Sequence, residues 1–375
     1  MHNILIVEIN EVLLHYEKIE HEILGNKFLH CKKYLLDDFN QLPNADKKIA
    51  ILRSNYVTDC FNISRVPAVD LSMFDLLIIF DEEVLPGDTP EEYLELTQER
   101  FSIKNVIIVT GAINQNLTLS SDKIFIFPLF LIEISYNYTY TETGMKPKLK
   151  LFDALLGINK PHRAKIFEKL CATNLLDKSY VSLIELDKNH NRSTIYYSSD
   201  LLEFEQDEAI QARELNNGVF NSYHYSLSHP ELNFISYPIS RQVPIGIYQH
   251  SYYTIVAETH CESHIFFTEK TVKPLLAKRL FVMFSAPHQL KKLREYGFKT
   301  FGSIIDESYD NEFDNCVRFE MAFQQIVKLS EMDPEIVYDK IKDVLDHNYA
   351  VITNREFLIA PLRTWLLSHI TSIAN

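Results

Sequence analysis

The chain has 375 residues, 46% of them hydrophobic and 23% charged, with a formal net charge of −14. Such a composition belongs to a soluble globular protein too long for one ordinary core, so two domains are expected. The acidic balance and the lack of a Lys/Arg stripe exclude a general binder of phosphate backbones, and no apolar run approaches the roughly 20 residues that cross a bilayer.

The opening residues, MHNILIVEIN, carry no charged leader or small-residue cleavage site and read as a first strand. After them come short apolar runs without alternation: KIAIL, FDLLIIF, KNVIIV and KIFIF. Polar, helix-prone segments separate the runs; in TPEEYLELTQERF, Thr89, Pro90 and the early glutamates mark a helix start. Unbroken apolar runs alternating with helices predict a parallel sheet covered on both faces, so residues 1–140 are expected to form an α/β domain. The stretch YNYTYTETGMKPK (136–148) is the expected linker. Cys31, Cys60, Cys171, Cys261 and Cys316 stand without CxxC spacing, which fits reduced thiols in a cytoplasmic protein. The Asn-x-Ser/Thr triplets at Asn62, Asn116, Asn137 and Asn191 are then chance matches.

A second α/β domain is expected over 148–350. It begins with the strand LKLFDALLG, the helix HRAKIFEKLCATNLL and the strand YVSLIEL. Residues 186–245, rich in Asn, Ser, Tyr and His, read as substrate contacts or a lid, with a helix over 201–215. The order resumes with the strand SYYTIVAET, the helix TEKTVKPLLAKR, the strand LFVMFS and the helix HQLKKLREYG. A helical remainder follows, in which Asp333-Pro334 forms a cap with proline at the first helical position. Residues 351–375, containing REFLIAPLRTWLLSHI, are expected to form a helix packing back across the domains.

Three groups of residues carry chemistry. In HIFFTEKTVKPLL, Thr268 as a cap puts Glu269 and Lys270 in the first helical turn, at the positive end of the helix dipole. There a glutamate accepts ribose hydroxyls and a lysine neutralises a diphosphate. Pro274 demands either a kinked helix or a cap displaced to Thr271. In LFDALLGINKPHRAKIFEKL, the strand ends at Gly157 and Arg163 opens the next helix, placed to grip a phosphate. In LLIIFDEEV, Asp81, Glu82 and Glu83 follow an apolar strand, where burial would lift a carboxyl into the range of a general base; Glu8 and Glu11 compete for that role. A solvated charge at a helix start or loop is the plainer reading of each. His162, His260 and His264 lack a zinc-site spacing, and DESYD (306–310) reads either as a cation site or as a solvated loop.

Taken together, SYYTIVAETHCESHIFFTEKTVKPLLAKRLFVMF and KLKLFDALLGINKPHRAKIFEKL resemble the two donor-binding segments of the α-1,3-fucosyltransferase family. That resemblance implies two Rossmann-like domains facing a cleft, the GT-B arrangement, with a nucleoside-diphosphate sugar as donor substrate and no tightly bound cofactor or metal. It implies transfer to an acceptor hydroxyl with inversion. Arg163 and Lys270 would hold the diphosphate, Glu269 the ribose, and Glu258 a wall near the sugar or base, with Asn159 and Lys273 beside the donor; Glu82 is the candidate base. Thr259 stands where the family has asparagine, and Gly157-Ile158-Asn159 where it has a Ser-Asn turn. FFTEKT.KPL and GFKTF...DESYD are similar to a set of phage and bacterial proteins, a sister family. A phage-type transferase acting on a DNA base, with a different donor, and a non-catalytic relative that binds a glycan or a protein remain open alternatives.

Overall fold

The computed structural model describes residues 4–8, 31–33, 44–54, 70–84, 90–114, 121–128, 131, 148–186, 192–197 and 243–374. Residues 136–147 and the helix expected over 201–215 lie outside them. The chain divides into two compact units, Met1–Glu133 with Arg355–Asn375, and Ile134–Asn354.

The first unit contains β1 (Ile4–Glu8), β2 (Cys31–Lys33), β3 (Lys47–Ser54), β4 (Leu76–Val84), α1 (Pro90–Arg100), β5 (Val106–Asn114) and β6 (Ile124–Ile126). Its strands are parallel and run β2-β1-β3-β4-β5-β6 across the sheet. Successive residues Leu76 to Phe80 are all buried, as are Val106 to Val109, which is why these runs show no alternation: both faces of each strand are covered. The pairing of β4 with β5 is irregular between Asp81 and Val84, so the backbone of Glu82 lies at a bulge near the carboxyl end of β4. The Glu82 side chain lies outside the described residues.

The second unit contains β7 (Lys150–Ile158), α2 (Pro161–Ala172), β8 (Ser179–Leu186), β9 (Arg192–Tyr197), α3 (Ile245–His250), β10 (Ser251–Ala257), β11 (His264–Phe266), α4 (Glu269–Leu276), β12 (Phe281–Phe284), α5 (Gln289–Glu295), α6 (Asn315–Ser330) and α7 (Pro334–Thr353). Its sheet order is β12-β10-β7-β8-β9, parallel except for β9, which runs against β8. The chain leaves β7 through α2 towards β8 on one side, and returns to β10 on the other before continuing through α4 to β12. Strand order therefore reverses between β7 and β10, and in open α/β sheets the crevice outside the carboxyl ends of such a pair is the place where ligands bind. The final helix, α8 (Arg355–Ala374), belongs to the first unit: the Trp365 ring lies 5.1 Å from that of Phe125, and its Nε1 donates to the Asp122 carbonyl at 3.0 Å.

Beneath the reversal, β7, β10 and the approach to β12 share a buried ion pair that sequence reading did not anticipate. The Arg279 guanidinium meets Asp153 Oδ2 at 2.5 Å and also donates to Thr254 Oγ1 and to the carbonyls of Tyr248 and Ser251. Ser251 and Thr254 hydroxyls donate to the same carboxylate oxygen. Losing one partner of such a pair strands the other charge in the interior, at a cost of about 3–5 kcal/mol.

Candidate functional site

The reversal between β7 and β10 is built first by a glycine. Gly157 has φ +68°, a left-handed conformation that side chains with a Cβ rarely adopt, and the β7–β8 register shifts between Leu155 and Gly157. The strand thus runs one residue beyond the expected end, to Ile158, and Asn159-Lys160 makes the turn into α2, whose first residue is Pro161. Arg163 falls in the first turn of α2, as the sequence indicates, but its side chain is only 3% exposed. Nη1 donates to the Ile158 carbonyl at 2.8 Å, and Nη2 to the Ala257 and Glu258 carbonyls at 3.3 and 3.4 Å. The guanidinium therefore ties the end of β7 to the end of β10 across the reversal. Its buried Nε and the buried Oδ1 of Asn159 have no hydrogen-bond partner among the described residues.

Two neighbours of Arg163 reach the same strand end. Lys160 Nζ donates to the Thr259 carbonyl at 3.0 Å, and His162 Nε2 to the Glu258 carbonyl at 3.0 Å. A carbonyl only accepts, so His162 carries its proton on Nε2 and its Nδ1 accepts from the Cys261 thiol at 3.3 Å. Burial, reinforced by the positive charge of Arg163, pulls the His162 pKa down to about 4. Burial likewise pushes the Cys261 thiol up, so the pair is neutral.

The second half of the site is the start of α4. Thr268 is the cap, accepting from Lys270 N at 3.3 Å. Thr271 is not the cap. Its hydroxyl donates to Glu258 Oε1 at 2.5 Å, while its N–H already bonds the Thr268 carbonyl. Pro274 lies inside the helix, where it cannot supply an N–H to Lys270 O, and Ala277 N closes the helix on Lys273 O at 2.9 Å. Glu258, expected along a donor wall, is fully buried. It accepts from Thr268 N, Thr268 Oγ1, Thr271 Oγ1 and Thr259 N, which spends both carboxylate oxygens inside the protein. Its observed role is to lock the first turn of α4 onto the end of β10.

That lock sets the electrostatics. Glu269 and Lys270 form an ion pair at 2.6 Å, with side chains 16% and 19% exposed. Burial alone would raise the Glu269 carboxyl, but the ammonium groups of Lys270 and Lys273 outweigh it and hold the pKa down at about 2. Burial also weakens the hold of Arg163 on its proton, opposed chiefly by the carboxylates of Glu269 and then Glu258, and Lys270 in turn acts on His162. Arg163 and the Glu269–Lys270 pair, more than 100 residues from it in the chain, thus share one electrostatic neighbourhood. Lys273 is buried on the same helix, one turn beyond Glu269.

These shifts predict an acid limit. Unfolded, His162 takes up a proton near 6.5; folded, only near 4, so the stability it contributes is complete above pH 6.5 and is lost as pH falls through 4. Glu269 acts the same way lower down, its contribution complete above 4.5 and lost towards 2. The His162 part amounts to about 3 kcal/mol. Melting temperatures measured from pH 7 to 4 should fall, and should fall less steeply in His162→Gln, which keeps a donor for the Glu258 carbonyl; identical slopes would contradict the assignment.

The acids of DESYD are consumed by backbone. Asp306 accepts from Ser308 N, Glu307 from Phe301 N and Thr300 Oγ1, and Asp310 from Leu290 N and Lys291 N at the start of α5. The residues preceding them form turns. Among the described residues, no group of three His, Cys, Asp or Glu side chains is placed to hold a metal, and no helix is long and apolar enough to cross a membrane.

No protein-family model matches the chain, and no curated protein matches it. Among solved structures, it is similar to an alpha1,3-fucosyltransferase at 10% identity and a TM-score of 0.36, covering 92% of this chain and 91% of the other. An alpha1,3-fucosyltransferase with GDP gives 9% identity and a TM-score of 0.37, covering 94% and 93%. Similarity of this degree assigns no activity.

Proposed function

We propose that the chain is a glycosyltransferase that uses a nucleoside-diphosphate sugar and inverts the configuration of the transferred sugar. The observation that carries this reading is the convergence of α2 and α4 on the end of β10: Arg163 donates to the Glu258 carbonyl, while the Glu258 carboxylate accepts from Thr268 and Thr271, which flank the Glu269–Lys270 ion pair. In this reading Lys270 turns from Glu269 to the donor diphosphate, helped by the positive end of the α4 dipole and the Nε of Arg163. Glu269, ionised throughout the neutral range, accepts the ribose hydroxyls. Lys273 adds positive field, Asn159 offers its unpartnered carbonyl to the donor, and Glu258 acts through Thr268 and Thr271 as a positioning residue.

Glu82 is proposed as the general base, accepting the proton of an acceptor hydroxyl while that oxygen bonds the anomeric carbon from the face opposite the diphosphate. The bond from the anomeric carbon to the β-phosphate oxygen breaks, and the electron pair leaves with the nucleoside diphosphate. Its growing negative charge is met by Lys270, Arg163 and the helix N-termini, so charge compensation needs no metal.

Incubation with a panel of sugar nucleotides, read by mass spectrometry for released nucleoside diphosphate, tests the reading. At least one donor should be consumed, and Glu82→Gln should lower kcat by about a hundred- to ten-thousand-fold while leaving donor affinity unchanged. Release from no donor, alone or with glycan or DNA acceptors, would leave a binding protein as the better description.

A further inference from the structure

Among the described residues of the second unit, Phe313 is the most exposed aromatic side chain of the large hydrophobics, at 66%. Single exposed apolar residues are common and mean little by themselves. The backbone around this one, however, is fixed from both sides. Asp314 caps α6 by accepting from Cys316 N and Val317 N at 2.8 and 2.9 Å. Arg318, 2% exposed, donates through Nη1 to the carbonyls of Glu312 and Phe313 at 2.9 and 3.3 Å. The same guanidinium reaches the Ser285 carbonyl just past β12 at 2.9 Å and the Cys261 carbonyl in the loop after β10 at 2.6 Å. Behind Phe313 stands His288, its ring edge-on at 5.3 Å and 83°, and one turn onward Val317 is also exposed.

The location matters as much as the anchoring. Arg318 staples loops that leave the carboxyl ends of β10 and β12, the same edge on which Arg163 ties β7 to β10. Cys261, which accepts from Arg318 through its carbonyl, bonds His162 through its thiol, so a continuous run of contacts leads from Arg163 to Phe313. From β7 to β12 is two strand spacings, about 10 Å, which suits an extended nucleotide whose diphosphate lies at one end and whose base lies at the other.

We infer that Phe313, backed by His288, is the surface on which the base of the donor nucleotide stacks; this rests on the reading of the neighbouring crevice as a diphosphate site. An aromatic face accepts any base through its π-surface, so the platform contributes affinity for nucleotides without selecting one base by hydrogen bonds. Isothermal titration of the full chain with a nucleoside diphosphate and, separately, with inorganic pyrophosphate separates the two claims. Phe313→Ala should weaken nucleoside diphosphate binding by roughly 10- to 100-fold, leave pyrophosphate binding unchanged, and be rescued by Phe313→Tyr. Equal nucleoside diphosphate affinity in wild type and Phe313→Ala would overturn the platform and leave the diphosphate site standing. Failure of the wild-type chain to bind either ligand would overturn both.

Discussion

Lys270→Ala is expected to lower kcat/KM for the donor by about a hundred- to a thousand-fold, the range found when one preorganised group facing a developing negative charge is removed. The ammonium is partly exposed at the first turn of α4 and pairs with the adjacent Glu269, so the folded chain does not depend on it for packing. Two effects add in the variant. The diphosphate loses its nearest mobile cation, and Glu269 is left with Lys273 alone among the two ammoniums that hold its carboxyl near 2, so its negative charge opposes the incoming phosphates. Lys270→Arg should recover part of the loss, because the charge returns in a different geometry. Steady-state kinetics beside a thermal melt make the separation: the melting temperature drops modestly as Glu269 loses its partner, while the chain stays folded at the assay temperature and activity falls. Unchanged turnover would remove Lys270 from the mechanism.

Glu258→Ala should have a large effect on stability, about 3–5 kcal/mol. The carboxylate is wholly buried and accepts four hydrogen bonds, two of them from threonine hydroxyls at 2.5 Å. Truncation leaves the Thr268 and Thr271 donors in the interior without their acceptor, and buried groups stripped of a charged partner cost far more than the net worth of a hydrogen bond. Thr271→Val removes one bond and one polar group together and should cost about 1–2 kcal/mol, and Glu258→Gln should fall between the two. The double-variant cycle between positions 258 and 271, measured by urea unfolding, should show a coupling above about 0.5 kcal/mol. Additive effects, or a Glu258→Ala chain as stable as wild type, would mean that the clamp does not hold α4 in place.

What could be read from sequence follows the range of the interactions involved. Local features were legible: the apolar runs of a doubly covered parallel sheet, Pro334 at the first position of α7, and Arg163 in the opening turn of α2. Each rests on residues a few places apart. Glu258, by contrast, depends on Thr271, 13 residues on, and Arg163 on the carbonyl of Ala257, 94 residues away; no spacing rule links them. Thus Arg163 was recognisable as a cation at a helix start but not as the tie between β7 and β10. The choice between Thr268 and Thr271 as cap turned on that same distant carboxylate, which takes the Thr271 hydroxyl. Asp153 and Arg279 did leave a trace, one charge inside LKLFDALLG and one inside LLAKRLFVMF, and a charge interrupting an apolar run is the mark of a buried partner elsewhere. The antiparallel β9 sits in a polar stretch whose sequence carries no strand period.

The decisive measurement is a crystal structure of the chain with a nucleoside diphosphate bound. The diphosphate should lie outside the carboxyl ends of β7 and β10, before the N-terminal end of α4, with Lys270 Nζ within hydrogen-bond distance of its oxygens and a ribose hydroxyl against Glu269. A nucleotide seated anywhere else on the second unit, with Lys270 still turned to Glu269, would contradict the proposed site.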